Sequence, residues 1–581
     1  MAAPRRVVVV LAAALLLTAS CGSVLRAESP YAQWANGPST DPNWFPIGVW
    51  LQSTSTSRIA QYQAAGFNIY VGLWQGPTET QLANLKARGM KTICSQNTLA
   101  LNSVNRDVII GWSQQDEPDN AQWNSVTQTY DPPILPSEIV NRYNAMKAND
   151  ATRPVFLNLG QGVAWDGWWG RGTRTNHPED YPLYLQGCDI ASFDIYPFAG
   201  STDPRYEPVK NKPWLIPYGV DRLHTWKQGT QTDVVWNFVE CTNISGNGVA
   251  TPTQVKAEVW MSLVHGSMGI LYFVHQMDPF IEAGLLADPV MTAAVTDINN
   301  QIHTLAPVLN SPTLPAGAAV QSSNPDVPVD IMAKAYDGAT YLFAVGMRDG
   351  TTTATFQVAG MSGPALAEVL GEGRSIPVAG GSFQDAFAPY AVHLYRIVQT
   401  AAHVTGWQVV AAHGPAGELA SDVADHYVEP RMAGLARFRI RFEAPIDPAT
   451  VTDGAVTILG AASGNQTGTI AGMTLDGTQT FLTVTLASPL PDADTYTITA
   501  GGPLRTTAGL GITGDTDIVI RTLAGDLDGS GAVTAADFLA ARATAGAPLA
   551  SSVARYDLDG SGVITADDMR LLRPLLGHSL P

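Results

Sequence analysis

The stretch "VIIGWSQQDEPDN" (residues 108–120) places an apolar run directly before a group of carboxylates. The apolar half has the composition of a buried β-strand, and Pro118 ends the strand because proline cannot donate to a strand ladder. Asp116 and Glu117 therefore follow the carboxyl end of this predicted strand. Only 14% of the residues are charged, so two adjacent acids at this position indicate a functional site.

Seven other apolar runs repeat the pattern, and helical segments with Thr, Ser or Pro start signals lie between them. The other runs are 45–52, 66–74, 90–96, 153–160, 189–197, 233–240 and 269–276. A longer helix is expected within 288–310. Eight strands that alternate with helices across about 270 residues predict an α/β fold, the (β/α)8 TIM barrel. A doubly wound open sheet is the alternative, although no GxGxxG follows the first run.

The rhythm changes after the barrel, and the chain divides into further domains. We assign 1–27 to a signal peptide, 28–310 to the barrel, 311–400 to a β-sandwich, 401–523 to a second sandwich and 524–581 to a small helical domain. Both sandwiches show period-two alternation between Gly and Asp turns. The segment "RFEAPIDPATV" (441–451) resembles the bacterial Ig-like modules that follow many secreted enzymes.

The N-terminus has the pattern of an export signal. Arg5 and Arg6 precede an apolar run, 7–17, that is too short to span a bilayer. The residues up to Cys21 resemble a lipobox, so lipidation of Cys21 and ordinary cleavage near Ala27 both stay open. Either route predicts a secreted or cell-surface protein.

The charge balance and the cysteines exclude several classes. Lys plus Arg number 33 against 51 Asp plus Glu, a net charge of -18, which argues against nucleic acid or an anionic membrane surface as partner. Cys94, Cys188 and Cys241 have no metal-binding spacing and are expected to be buried thiols with at most one disulfide. We therefore expect no metal in catalysis.

The C-terminus contains a repeat, "DLDGSGAVTAADF" from Asp526 and "DLDGSGVITADDM" from Asp557. Calcium needs six to eight oxygen ligands, and a loop supplies them when ligands alternate and a glycine allows a sharp turn. Each copy therefore predicts one structural Ca²⁺ site. The predicted ligands are Asp526, Asp528, Ser530, Asp537 and the Ala532 carbonyl, then Asp557, Asp559, Ser561, Asp568 and the Val563 carbonyl. The repeat resembles the type I dockerins, which implies a cohesin-bearing partner.

A second acid, Glu240, ends the seventh apolar run, across a barrel mouth from Glu117. Glycoside hydrolysis with retention needs two carboxyls roughly 5–5.5 Å apart. With acids after strands four and seven, the chain resembles clan A, the "four/seven" superfamily of glycoside hydrolases. The resemblance implies that Glu117 is the acid/base, that Glu240 is the nucleophile and that Tyr196, in "FDIYP", hydrogen-bonds the nucleophile. Asp116 stands where the clan usually has the Asn that binds the sugar 2-hydroxyl; Asp116 itself as the acid is the alternative.

Aromatic side chains near the strand ends predict a carbohydrate cleft, because sugar C–H faces stack on indoles. The predicted substrate-binding residues are Asp116, Trp50, Trp74, Trp112, Trp168, Trp169, Tyr272 and His275. Tyr272 or His275 would replace the Trp that the clan often has after strand eight, and Trp112 is expected to raise the pKa of Glu117. The cations of "RGTRTNH" (171–177) would contact an acidic or sulfated sugar, or only the protein's own acids.

Together these features predict a secreted retaining glycosidase of a poly- or oligosaccharide. Two other functions fit the same features. A non-catalytic carbohydrate-binding barrel needs only the tryptophan surface, and a surface-assembly protein would act through its dockerin-like tail.

Overall fold

A computed structural model describes residues 29–200, 202–228, 232–245, 248–361, 365–399, 401–507 and 509–581. The predicted signal peptide and Cys21 lie outside these residues. The described chain forms a barrel, two β-sandwiches and a small helical tail. Within it, no helix combines the length and the apolar character that crossing a membrane requires.

Eight parallel strands close the barrel and confirm the predicted fold. They are β1 Ile47–Trp50, β2 Ile69–Val71, β3 Lys91–Cys94, β4 Ile109–Ser113, β5 Val155–Leu159, β6 Ile190–Phe193, β7 in two segments Val234–Val235 and Asn237–Glu240, and β8 Ile270–Phe273. The first segment of β7 pairs with β6 and the second pairs with β8, which pairs with β1. The sheet therefore has no free edge, and the open-sheet alternative is wrong.

Helices cover the outside of the barrel between the strands. They are α1 Thr56–Ala64, α2 Glu79–Ala87, α3 Thr98–Asn102, α4 Pro136–Asn149, α5 Tyr181–Tyr184, α6 Leu215–Lys227, α7 Pro252–Val264, α8 Gly284–Ala287 and α9 Pro289–Leu309. Capping boxes at Thr78 and Thr251 satisfy the first amides of α2 and α7. The predicted long helix within 288–310 is confirmed as α9.

Strand alternation decides which side chains face the barrel interior. Trp236, Phe238 and Leu271 belong to the inner cluster, whereas Val239 and Tyr272 pack outward against the helices. In β4 the pairing register with β3 shifts by one residue. This irregularity interrupts the inward–outward alternation of side chains. Ile110 faces the barrel interior, and Trp112, two residues later, faces outward instead of inward.

The first sandwich packs its larger sheet against the barrel helices, where the rings of Trp260 in α7 and Phe343 lie 5.2 Å apart. That sheet contains Val329–Tyr336, Ala339–Gly346, Val392–Gln399, Ala365–Val369 and Arg374–Val378. The smaller sheet contains Ala318–Ser322, Thr352–Val358 and Ser382–Phe387. Their facing side chains form one apolar core.

The second sandwich has its own core and follows directly. One sheet contains Glu418–Val423, Ala402–Ala412, Arg437–Phe442, Phe481–Leu486 and Ile470–Leu475, with Ile512–Gly514 beside Ala402–Ala412. The other contains Tyr427–Glu429, Asp517–Thr522, Asp494–Ala500, Val456–Gly460 and Gly464–Asn465. Each of the two sandwiches therefore has a core of its own.

The tail contains two helices, α10 Ala535–Thr544 and α11 Ala566–Leu572, each preceded by one copy of the repeat. Leu527, Leu558 and Leu572 form its small core, and Val428 of the second sandwich joins them. The tail is therefore packed against the preceding module.

Candidate active site at the carboxyl ends of the barrel strands

Glu117 lies in a tight turn that is fixed to the end of β5. Its φ of 43° is positive, a conformation that non-glycine residues adopt at an energetic cost and that recurs at functional sites. The Glu117 amide donates to the Asn158 carbonyl at 3.0 Å, and Asp119 accepts from the Gly160 amide at 2.9 Å. The turn therefore holds the Glu117 carboxyl over the barrel mouth in one orientation.

The carboxyl of Asp194, directly after β6, lies within hydrogen-bonding reach of the Glu117 carboxyl. Two ionised carboxylates this close repel each other, so the pair is most stable when it shares one proton. Tyr196 donates to Asp194 Oδ2 at 3.0 Å, and Asp194 Oδ1 is buried with no other donor among the described residues. The Tyr196 bond stabilises ionised Asp194, and the shared proton therefore resides on Glu117.

The environment raises the pKa of both carboxyls. Burial, then the charge of Asp194, raises the pKa of Glu117 well above its ordinary value. Burial, then the charge of Asp116, raises the pKa of Asp194 to about 7. A carboxylic acid that stays protonated near neutral pH beside a carboxylate is the pair that general acid catalysis with a carboxylate partner needs.

Asp116 keeps access to the mouth and accepts a hydrogen bond from Asn158 Nδ2 at 3.0 Å. Although the residue is exposed in the open mouth, partial desolvation of its carboxyl by the surrounding protein raises the pKa of Asp116 to about 6. The neighbouring strand thus supplies an amide to Asp116, whereas the proton-sharing contact belongs to Glu117. This arrangement favours Glu117 over Asp116 as the acid.

Glu240 is fully buried and has different partners. Its Oε1 accepts from the Phe198 amide at 2.7 Å, and its Oε2 accepts from the Ala199 amide. Its carboxyl also lies within hydrogen-bonding reach of Glu258 of α7, which is itself fully buried. Burial raises the pKa of Glu240 to about 7 and that of Glu258 well above its ordinary value. The structure therefore brings Glu117 together with Asp194, while Glu240 forms a separate, enclosed acid pair; Tyr196 donates to Asp194.

A cluster of half-buried tryptophans forms one wall beside Glu117. The ring centroids of Trp168 and Trp169 lie 4.6 Å apart, and that of Trp165 lies 5.3 Å from Trp169. Trp168 Nε1 donates to Asn120 Oδ1 at 2.8 Å, which connects the wall to the Glu117 turn. Trp168 is thus held beside the Glu117 turn and Trp169 packs on Trp168; substrate binding by the two rings stays a prediction.

Further aromatic side chains lie at the top of the barrel interior. Trp50 packs edge-on against Phe238 at 5.5 Å, and Phe273 lies 5.3 Å from the Tyr196 ring. Phe273, which the sequence analysis missed, is partly exposed at the end of β8. Trp74 is 66% exposed. These rings could contact a ligand in the mouth.

Three predicted site residues are buried away from open solvent. Trp112 is 1% exposed and donates to Asp150 Oδ2 at 3.2 Å, so it does not adjoin Glu117 as predicted. Tyr272 is fully buried against α9, where its hydroxyl donates to Asn299 Oδ1 at 3.0 Å. His275 is 5% exposed. Trp112 and Tyr272 face outward from the barrel, and the inward position at the end of β8 belongs to Phe273.

The cations after the tryptophan wall bind the protein's own acids. Arg171 is 1% exposed and donates to Asp180 at 2.7 Å, and Arg174 binds the same carboxylate. His177 contacts Glu179 at 2.7 Å. Of the two alternatives from the sequence, pairing within the protein is the one that the structure favours over a sulfated sugar.

The two loops of the tail gather oxygen ligands in the predicted pattern. The carboxylates of Asp526, Asp528 and Asp537 all lie within 4.8 Å of one another, as do those of Asp557, Asp559 and Asp568. Ser530 and Ser561, with the Ala532 and Val563 carbonyls that they contact, lie in the same loops. Gly531 and Gly562 have φ of 86° and 90° at the sharp turns. An all-oxygen donor set on a tight loop fits Ca²⁺.

Comparison with known proteins identifies one module. Residues 428–522 match the family described as bacterial Ig-like domain, which confirms the prediction for the second sandwich. No curated protein matches the chain. Cys94, Cys188 and Cys241 are free and buried, as predicted.

The chain also resembles solved structures. An α-amylase from Geobacillus thermoleovorans complexed with acarbose is 11% identical with a TM-score of 0.39, covering 62% of this chain and 99% of that chain. A GH30 endoxylanase from Clostridium papyrosolvens is 13% identical with a TM-score of 0.33, covering 61% and 96%. At these values the likeness carries no argument about the reaction, which has to come from the site.

Proposed function

We propose that this protein is an extracellular glycoside hydrolase whose acid/base is Glu117. The observation that carries the proposal is the close approach of the Glu117 and Asp194 carboxyls after the carboxyl ends of β4 and β6. In TIM-barrel enzymes this face holds the active site. The tryptophan wall beside the pair would bind the sugar rings.

The pair supplies both groups that hydrolysis with retention requires. Glu117 donates its proton to the glycosidic oxygen while the Asp194 carboxylate attacks the anomeric carbon, forming a glycosyl ester and releasing the leaving-group alcohol. Glu117, now ionised, then removes a proton from the water that hydrolyses the ester. Tyr196, through its bond to Asp194 Oδ2, would keep the nucleophile ionised and oriented.

The closeness of the two carboxyls supports retention over inversion. Inverting enzymes keep their carboxyls roughly 6.5–9.5 Å apart to admit a water, whereas retaining enzymes hold them roughly 5–5.5 Å apart. Two carboxyls within hydrogen-bonding reach of each other leave no room for an intervening water. Glu240, the nucleophile that the clan resemblance implies, would first have to leave the amides of Phe198 and Ala199. Asp194 therefore takes the nucleophile role in this proposal.

The tail is proposed to bind two structural Ca²⁺ ions and to attach the enzyme to a cohesin-bearing partner. Support comes from the two oxygen clusters on duplicated loops and from the exposed positions 535–536 and 566–567, where dockerin-like repeats contact a cohesin. The bacterial Ig-like module and the predicted export signal support a location outside the cytoplasm. A lipid anchor at Cys21 stays a prediction.

Hydrolysis of a panel of plant, algal and mucin-type glycans tests the proposal. Wild type should release reducing ends from at least one glycan, and Glu117→Gln should lower kcat/KM by about 10²–10⁴-fold, the usual worth of a general acid. Glu138→Gln, on the exposed face of α4, is the matched control and should behave as wild type. Glycan binding without hydrolysis would refute the enzyme proposal and favour the non-catalytic carbohydrate-binding barrel. Deleting 524–581 should leave hydrolysis of soluble substrates unchanged; loss of the main function there would favour the assembly role.

A further inference from the structure

The second loop of the tail is seated on the Ig-like module through a buried histidine. His413 follows the strand Ala402–Ala412 and is fully buried. Its Nδ1 lies 2.6 Å from Oδ2 of Asp557, the first predicted ligand of the second loop and itself fully buried. A side chain of one module thus touches a ligand residue of the other.

The hydrogen-bond chain behind His413 fixes which ring nitrogen carries the proton. Arg431 Nη1 lies 3.2 Å from His413 Nε2, and a guanidinium can only donate. Nε2 is therefore the acceptor, and Nδ1 carries the hydrogen and donates it to Asp557. Arg431 is held in turn by Glu429, which accepts from Arg431 Nε at 2.6 Å. The Ig-like module thus holds the His413 Nδ1–H group in place as a hydrogen-bond donor to the second loop.

The two backbones approach so closely that each needs glycine. A Cβ added at Gly414 would lie 2.5 Å from the Ser561 carbonyl oxygen, and one at Gly562 would lie 2.5 Å from the His413 carbonyl oxygen. Both glycines also have positive φ, 48° and 90°, which L side chains rarely adopt. Contacts this tight hold the loop in one position on the module.

The first loop is built without this support. The carboxylate of Asp526 accepts from the amides of its own loop, Gly529, Ser530 and Gly531. A Cβ at Gly531 would meet its nearest atom, in the tail residue Leu580, only at 3.7 Å. The first loop therefore organises its leading aspartate entirely from within. Asp557 accepts from the Ser561 and Gly562 amides of its own loop at 3.0 and 2.9 Å, and His413 adds a donor from the Ig-like module.

We propose that His413 positions Asp557 for Ca²⁺, so that the calcium affinity of the second loop depends on the Ig-like module and bound calcium fixes the tail to that module. With Nδ1 holding Oδ2, Oδ1 of Asp557 is oriented toward the other ligands of its loop. Groups that orient a metal ligand in this way typically change metal affinity by about 10–100-fold when removed. This inference rests on the calcium part of the proposed function.

Calorimetric titration of the full chain with CaCl2 tests the coupling one loop at a time. Asp528→Ala disables the first loop and leaves the second, and Asp559→Ala does the reverse. Adding His413→Ala should weaken calcium binding about 10–100-fold in the Asp528→Ala background and leave it unchanged in the Asp559→Ala background. His403→Ala, on the exposed face of the same strand, is the matched control and should change neither.

Three outcomes are informative. An equal loss in both backgrounds, or no loss in either, overturns the role of His413. No calcium binding before His413 is altered overturns the calcium proposal itself. Should His413→Ala unfold the module, as circular dichroism in EDTA would show, Gly414→Ala provides the second test: it keeps His413 but forces the Ser561 carbonyl away, and must produce the same selective loss.

Discussion

The buried pair of Glu240 and Glu258 predicts a specific pH dependence of stability. Both carboxyls have a pKa in the folded protein above their ordinary value, that of Glu240 at about 7. The folded state therefore holds protons that the unfolded state has lost, and stability is highest below the unfolded pKa and falls as pH rises through the folded pKa. Between about pH 5 and pH 7 each of the two carboxyls lowers the free energy of unfolding by about 1.4 kcal/mol for every unit that the pH rises.

Replacing Glu258 by Gln removes one of these two proton-binding groups and keeps a donor toward Glu240. Relative to wild type, Glu258→Gln should gain about 1.4 kcal/mol of unfolding free energy per pH unit, or about 3 kcal/mol from pH 5 to pH 7. Urea unfolding followed by tryptophan fluorescence at pH 5, 6 and 7 measures this difference. The exposed Glu138→Gln should show a difference that does not change with pH. A pH-independent or falling difference for Glu258→Gln would refute the claim that the folded protein keeps Glu258 protonated over this pH range.

Three other perturbations test separate parts of the structure. Arg171→Met leaves the buried Asp119 without its cation and Asp180 with Arg174 alone, and should destabilise the barrel by about 3–5 kcal/mol in urea unfolding. A loss under 1 kcal/mol would contradict the buried pairing. Gly160→Ala places a Cβ 2.9 Å from Glu117 Oε1 and should lower kcat/KM by about 10–100-fold without changing Tm much. Gly477→Ala, with open space around it, is the control and should be neutral. Equal activity of the two variants would show that Gly160 does not hold the Glu117 carboxyl in position. EDTA should lower the unfolding temperature of the tail in scanning calorimetry. An unchanged unfolding temperature would refute the proposal that the tail binds structural Ca²⁺.

The sequence pattern was sufficient for the scaffold because strand and helix periods are local properties. All eight apolar runs became barrel strands, and the Ig-like segment matched its family. The orientation of single side chains was less predictable. The register shift in β4 turns Trp112 outward, and no feature of "VIIGWSQ" indicates such an irregularity.

The two acid pairs show the same limit at the site. Asp194 lies in the quoted segment "FDIYP", at the end of a predicted strand, and that position was the available signal for a third candidate carboxyl. Its contact with Glu117 depends on how the turn after β4 folds onto β5. Glu258 is an acid on an otherwise apolar helix face, "VKAEVWM" (255–261), which predicts a buried partner but does not identify Glu240 as that partner.

The most direct test of the central claim is azide rescue of the two candidate nucleophile variants on an activated glycoside of the sugar that the glycan panel identifies. Asp194→Ala should lose hydrolysis, and azide should restore turnover and yield a glycosyl azide of inverted anomeric configuration. Glu240→Ala should still hydrolyse the substrate without azide and give no azide product. Rescue with an azide product from Glu240→Ala, together with normal hydrolysis by Asp194→Ala, would contradict the account and assign the nucleophile to the end of β7.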